Sequence, residues 1–173
     1  TAIANHFAKY HIPYKPLTEI AVKSLGAGFV PFASELQNLT ILAAYLFQPA
    51  LRSNYASMLI TTKATNDKEH NYLFKRGRHM IIKMRKYKNS RTFGDQDITV
   101  RPEFAQILNI WISTLKHLLK IGKMPQHLIH YNISSNGTKW IGNDDSLARN
   151  IPRVSQRILG RNYNIDGFRK LWE

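Results

Sequence analysis

Residues 56–87, "ASMLITTKATNDKEHNYLFKRGRHMIIKMRKY", decide the fold class. On either side of this stretch apolar residues recur at three- and four-residue spacing. Within it the spacing drops to alternation and short runs, divided by the polar "KATNDKEH" and by "KRGR" around Gly77. A period of two sends successive side chains to opposite faces, so "ASMLITT", "NYLF" and "HMIIKMRKY" read as strands and the dividers as turns. "DITV" (97–100) follows the loop "KNSRTFGDQ" and adds a strand. A small antiparallel sheet of three or four strands is the expectation.

Upstream, Leu36, Leu39, Leu42, Ala43, Leu46 and Phe47 fall at helical spacing, and Ser34 with Gln37 forms a capping-box pattern at their start. Pro49 biases Gln48 out of the helical region and ends or kinks that helix just before Arg52. "GAGF" (26–29) lacks the strand and third glycine of a dinucleotide fingerprint and reads as a turn or helix end. Downstream, Pro102 suits a first helical position, and Phe104, Ile107, Leu108, Trp111, Ile112, Leu115, Leu118 and Leu119 form a wide stripe up to Gly122. "HLIHYNISSNGTKWIG" (127–142) reads as strand-like with an Asn136-Gly137 turn. A helix capped by Asn143 or Asp144 then carries Leu147, Ile151, Val154 and Ile158 towards Gly160, kinked or split by Pro152. A last helix is expected after Asn164. The order of helices, small sheet and helices makes an α+β, mainly helical fold. Residues 1–33 are N-terminal helices and connectors of the same domain, and 34–173 its core.

The 173 residues fit one domain. Twenty-five Lys and Arg against eleven Asp and Glu leave a net charge of +14, which makes a polyanion the first candidate partner, nucleic acid ahead of an anionic membrane surface. A basic character serving only solubility or assembly is the plain alternative. The absence of cysteine removes disulfides and thiolate zinc sites. No apolar run approaches bilayer length and no signal-peptide pattern is seen, so the chain reads as soluble, in nucleus, cytoplasm or virion and not secreted. The triplets at Asn38, Asn132 and Asn136 are then chance matches to the glycan motif. A start at Thr1 suggests an excised domain, a processed product or part of something longer.

Three basic positions stand at element ends: Arg52, Lys88 and Arg169. Two guanidinium forks can grip the non-bridging oxygens of a phosphodiester under displacement, and a lysine can protonate the departing 5′ oxygen. Taken singly, each is more often a solvated charge. Their contexts, "QPALRSNYASM" (48–58), "KMRKYKNSRTFGDQDITV" (83–100) and "NIDGFRKLW" (164–172), together resemble the catalytic domain of tyrosine recombinases, the phage-integrase-like enzymes, in particular their divergent large-DNA-virus branch, over about residues 35–173. The resemblance implies that Arg52 follows the helix leading into the sheet and faces the scissile phosphate. It implies that Lys88, or else Lys86, is the hairpin lysine, and that Arg169 is the second arginine of a His-x-x-Arg box.

The box here reads Asp166 to Arg169, with aspartate where the family has histidine. Asp166 is accordingly a base, a cap of the last helix, or a mark of a decayed site. The family's nucleophilic tyrosine lies downstream of the second arginine, whereas Tyr163 is the last tyrosine of this sequence, which is read as truncated before it. The resemblance implies double-stranded DNA as partner, breakage and rejoining through a 3′-phosphotyrosyl intermediate, no metal or nucleotide cofactor, and possible homo-oligomers on DNA. Arg85, Lys86, Arg91, Arg153, Arg157 and Lys170 are the further basic residues expected to bind DNA. The alternative is an inactive recombinase descendant serving genome packaging or virion architecture; an RNA-binding role rests on charge alone. His117, His127 and His130 lack metal-site spacing and read as packed or surface histidines, and Asp144 and Asp145 read as a helix cap. Tyr87 and Phe93 are balanced between stacking beside DNA and folding over their own hairpin.

Overall fold

The computed structural model describes residues 19–49, 51–134, 137–140 and 144–173. Expectations for residues 1–18, for Asn136 in its turn and for Asn143 as a cap lie outside them. The chain runs α1 (Glu19–Leu25), a 3₁₀ turn (Gly26–Gly28), α2 (Phe29–Leu46), a second 3₁₀ turn (Ser53–Tyr55), β1 (Leu59–Thr61), β2 (Tyr72–Arg76), β3 (His79–Met84), the short α3 (Ser90–Phe93), β4 (Gln96–Thr99), α4 (Pro102–Leu119), β5 (His130–Ser134), β6 (Gly137–Trp140), α5 (Asp144–Leu159) and α6 (Ile165–Lys170). The fold is α+β and mainly helical.

α2 and α4 pack on one another, and their apolar faces, with Leu147, Ile151 and Val154 of α5, form one core with the inner face of the sheet, where Leu73, Met80 and Ile82 are buried. Pro102 takes the first turn of α4 as expected. The expected stop at Gly122 comes earlier. Lys120 takes the left-handed conformation (φ 54°) that ends the helix, and the N–H groups of Lys120 and Ile121 return to the carbonyls of His117 and Lys116.

The sheet corrects the expectation of a purely antiparallel arrangement. Its order is β1-β2-β3-β4, with β2, β3 and β4 antiparallel but β1 parallel to β2, Leu59 opposite Tyr72 and Thr61 opposite Phe74. Alternation reports which faces a strand presents and is silent on its direction, so the polar stretch between β1 and β2, expected as a turn, is a return crossover. The outer edge of β1 is closed by segment 126–128: the Ile60 N–H donates to Gln126 O and the Leu128 N–H to Met58 O. β5 and β6 form a separate antiparallel pair.

Two helix-boundary expectations also change. Ser34 lies inside α2, which starts at Phe29, so Ser34 and Gln37 form no capping box and the boundary drawn at residue 34 falls within a helix. Gln37 is buried and bonds in both directions to the His130 backbone: its Nε2 donates to His130 O at 2.6 Å and its Oε1 accepts the His130 N–H at 2.7 Å. α5 continues through Pro152 without splitting. Proline offers no N–H to the Ala148 carbonyl, but buried Ile151, Val154 and Ile158 hold the two halves on the core.

Candidate phosphate-binding cleft

α2 ends at Leu46, and the chain turns through Gln48, which is 1% exposed. Its amide Nε2 donates to Thr99 O at 3.2 Å and its Oε1 accepts the Arg101 N–H at 3.3 Å, tying the end of α2 to the β4–α4 junction. Arg52 then takes an extended conformation (φ −62°, ψ −152°) ahead of the Ser53–Tyr55 turn. Its carbonyl accepts the hydroxyl of buried Tyr45 at 2.8 Å, leaving its side chain exposed.

Tyr45 joins two parts of the site. Its ring packs on Tyr55 at 5.6 Å and on Phe168 at 5.7 Å, and its carbonyl accepts the indole N–H of Trp172 at 3.0 Å. Phe168 is fully buried on α6, so its neighbour Arg169 is carried to the same surface as Arg52. Burial pushes the Tyr55 hydroxyl pKa far up, and it stays neutral in the aromatic cluster.

The third part is the loop after β3. Asn71, 4% exposed, holds its entry: Oδ1 accepts the N–H groups of Arg85 at 2.8 Å and Lys86 at 2.9 Å, while Nδ2 donates to Lys86 O at 2.7 Å. Tyr87 donates its hydroxyl to Gly94 O at 2.6 Å and closes the loop across α3. Lys88 projects from the loop.

Arg52, Lys88 and Arg169, separated widely in sequence, thus line one open cleft of about 170 Å³ together with Asn54, Tyr87, Phe93 and Gln96. Arg52 and Lys88 have no ion-pair partner among the described residues, and cations converging without carboxylates make an anion-attracting surface. Arg169 is different: its Nη1 lies 3.2 Å from Asp166 Oδ1, one turn back on α6. Asp166 does not line the cleft, and the capping task falls to Asn164, whose Oδ1 accepts the Gly167 N–H at 2.7 Å.

The other basic residues separate into two groups. Arg85, its side chain 12% exposed, donates to Met84 O and Gln96 O and reaches Asp97 at 2.7 Å and Asp95 at 3.6 Å, so it is occupied inside the β3–β4 edge. Lys83 and Arg85 together hold the Asp97 carboxyl pKa below its usual range. Arg157 lies 2.7 Å from Glu35, whose carboxylate is buried, and a buried charge requires that partner. Both of these expected DNA contacts are engaged in ion pairs with carboxylates. Lys86 makes only an exposed pair with Glu69 at 3.4 Å, Arg153 bonds Asn150 at 2.9 Å, and Arg91 and Lys170 are exposed.

Among the described residues no three or more potential metal ligands gather, and no helix is long and apolar enough to cross a membrane. His130 is buried with its Nε2 3.1 Å from His127 O, and burial lowers the pKa of both histidines. The sequence reading missed Asn71, Tyr45 and Gln48. Asn71 and Gln48 act by hydrogen bonding to backbone 14 to 53 positions away, and Tyr45 by a bond to Arg52 O and by ring packing on Phe168, none of which leaves a local pattern. Comparison with protein-family models, with curated proteins and with solved structures finds no match to this chain.

Proposed function

We propose that this chain binds double-stranded DNA by gripping a phosphodiester between Arg52, Lys88 and Arg169, and that the grip serves DNA breakage and rejoining of the tyrosine-recombinase type. The observation that carries this reading is the convergence of these three residues, from three distant segments, on one cleft. Arg52 and Arg169 would hold the non-bridging oxygens as charge builds on them. A tyrosine hydroxyl would attack phosphorus and lose its proton to water, and Lys88 would give a proton to the departing 5′ oxygen. The products are a 3′-phosphotyrosyl bond and a free 5′ hydroxyl; reversal rejoins the strand. Among the cleft-lining residues the one tyrosine, Tyr87, has its hydroxyl bonded to Gly94 O.

A second reading, a binding protein without strand transfer, is favoured by the Asp166–Arg169 pair, which engages one guanidinium nitrogen at 3.2 Å. The two readings separate in one experiment. The longest form of the protein and its Arg52→Ala variant are incubated with a nicked suicide duplex, denatured, and inspected for protein joined to DNA. Strand transfer gives an adduct that the variant lacks; salt-sensitive binding with no adduct assigns the binding role instead.

A further inference from the structure

The cleft has one wall that its cations do not explain. Phe93, the last residue of α3, lines it beside Arg52, Lys88 and Arg169, yet Phe93 is 63% exposed. Its loop partner Tyr87 is half-buried and hydrogen-bonded, which resolves the two aromatic residues into different roles. The backbone around Phe93 is held firmly. Its own N–H donates to Asn89 O at 3.0 Å, the Gly94 N–H donates to Ser90 O at 2.8 Å, and Gly94 turns the chain away at φ 66°, a conformation glycine adopts without strain. A fixed backbone therefore presents a ring to water at the rim of a cationic cleft.

A phenylalanine in that position forgoes the stabilisation that burial would give it, and a single ring is too small to be a protein-docking patch. What an exposed aromatic face beside phosphate-seeking cations fits is a nucleobase. Every base has a face to stack, and a ring without polar atoms reads no sequence. We propose that Phe93 is a stacking platform for an unpaired base next to the gripped phosphate, so that the cleft prefers DNA with an unstacked or single-stranded nucleotide over intact duplex. This rests on the cleft being a phosphate site, and it names the substrate class of that site.

The test measures equilibrium binding by fluorescence anisotropy to three labelled DNAs of equal length: a perfect duplex, a duplex with an unpaired bulge, and a single strand. Wild type, Phe93→Ala, Phe93→Trp and Arg52→Ala are compared at one salt concentration. The expected result is a wild-type preference for the bulged and single-stranded DNAs. Phe93→Ala loses about 5- to 100-fold on those two and little on the perfect duplex, and Phe93→Trp retains the preference. Arg52→Ala weakens all three alike. If Phe93→Ala weakens every DNA equally, or none, stacking is refuted, while loss in Arg52→Ala keeps the phosphate reading intact. If wild type binds none of the DNAs, or Arg52→Ala binds as wild type does, the phosphate reading falls and the stacking platform with it.

Discussion

Arg169 carries its own competitor. The Asp166 carboxylate, one helical turn away, pairs with the guanidinium at 3.2 Å, and its side chain is 74% exposed. An exposed pair of this kind is worth up to about 1 kcal/mol, too little to hold the arginine against a phosphate but enough to reduce the gain from binding one. Asp166 also places a negative charge near the incoming anion. Asp166→Asn should therefore tighten DNA binding by about 2- to 5-fold, measured by anisotropy, with thermal stability almost unchanged because Asn164 remains to cap α6. Unaltered affinity would mean that Arg169 does not meet phosphate. The box sequence alone could not distinguish base, cap or decay for Asp166. The cap is settled only by seeing which side chain accepts the Gly167 N–H.

At the scale of elements, α2 shows where reading the chain stops working. Helices α2 and α4 and the four strands of the sheet were legible because burial on one face imposes a period, and period survives in sequence. Gln37 defeats the same logic. Three residues after a serine it imitates a cap, yet its amide pairs with the backbone of His130, 93 positions away. The parallel β1–β2 pairing was hidden for a similar reason, since strand direction depends on the path of the connection. Gln37→Leu should cost about 1–3 kcal/mol, because it removes two buried hydrogen bonds to the His130 backbone; chemical denaturation checks the value.

His130 adds a pH dependence. Burial lowers its folded pKa from 6.5, so the unfolded chain binds the proton first as pH falls. Stability is then complete above pH 6.5 and declines below it towards the folded value, by up to about 1.4 kcal/mol per pH unit. His127, lowered in the same direction, contributes with the same sign. Replacing His130 by Gln should flatten the fall in melting temperature between pH 7 and 5; an equally steep fall in the variant would assign it to other groups.

For the molecule as a whole, the net charge of +14 matters less than where its counter-charges lie. Acidic residues gather at the sheet edge, where Asp95 and Asp97 meet Lys68, Lys83 and Arg85, and Glu69 meets Lys86. The cleft keeps Arg52 and Lys88 free of such partners among the described residues. Charge counting therefore does not separate the sheet-edge cations, which are paired with carboxylates, from Arg52 and Lys88, which have no such pair among the described residues. This difference can be read from salt. Each phosphate neutralised by a cation releases condensed counterions, and log K falls against log salt with a slope of about −0.9 for each. Arg52→Ala and Lys88→Ala should each make the slope shallower by about 1, with affinity falling in step. Arg85→Ala should leave the slope in place and lower the melting temperature, because it removes one of two cationic partners from each of Asp95 and Asp97 and the bonds to Met84 O and Gln96 O at the β3–β4 edge. A shallower slope in Arg85→Ala with none in Arg52→Ala would move the DNA surface off the cleft and onto the sheet. A flat response in the wild type would remove phosphate neutralisation as the basis of binding altogether.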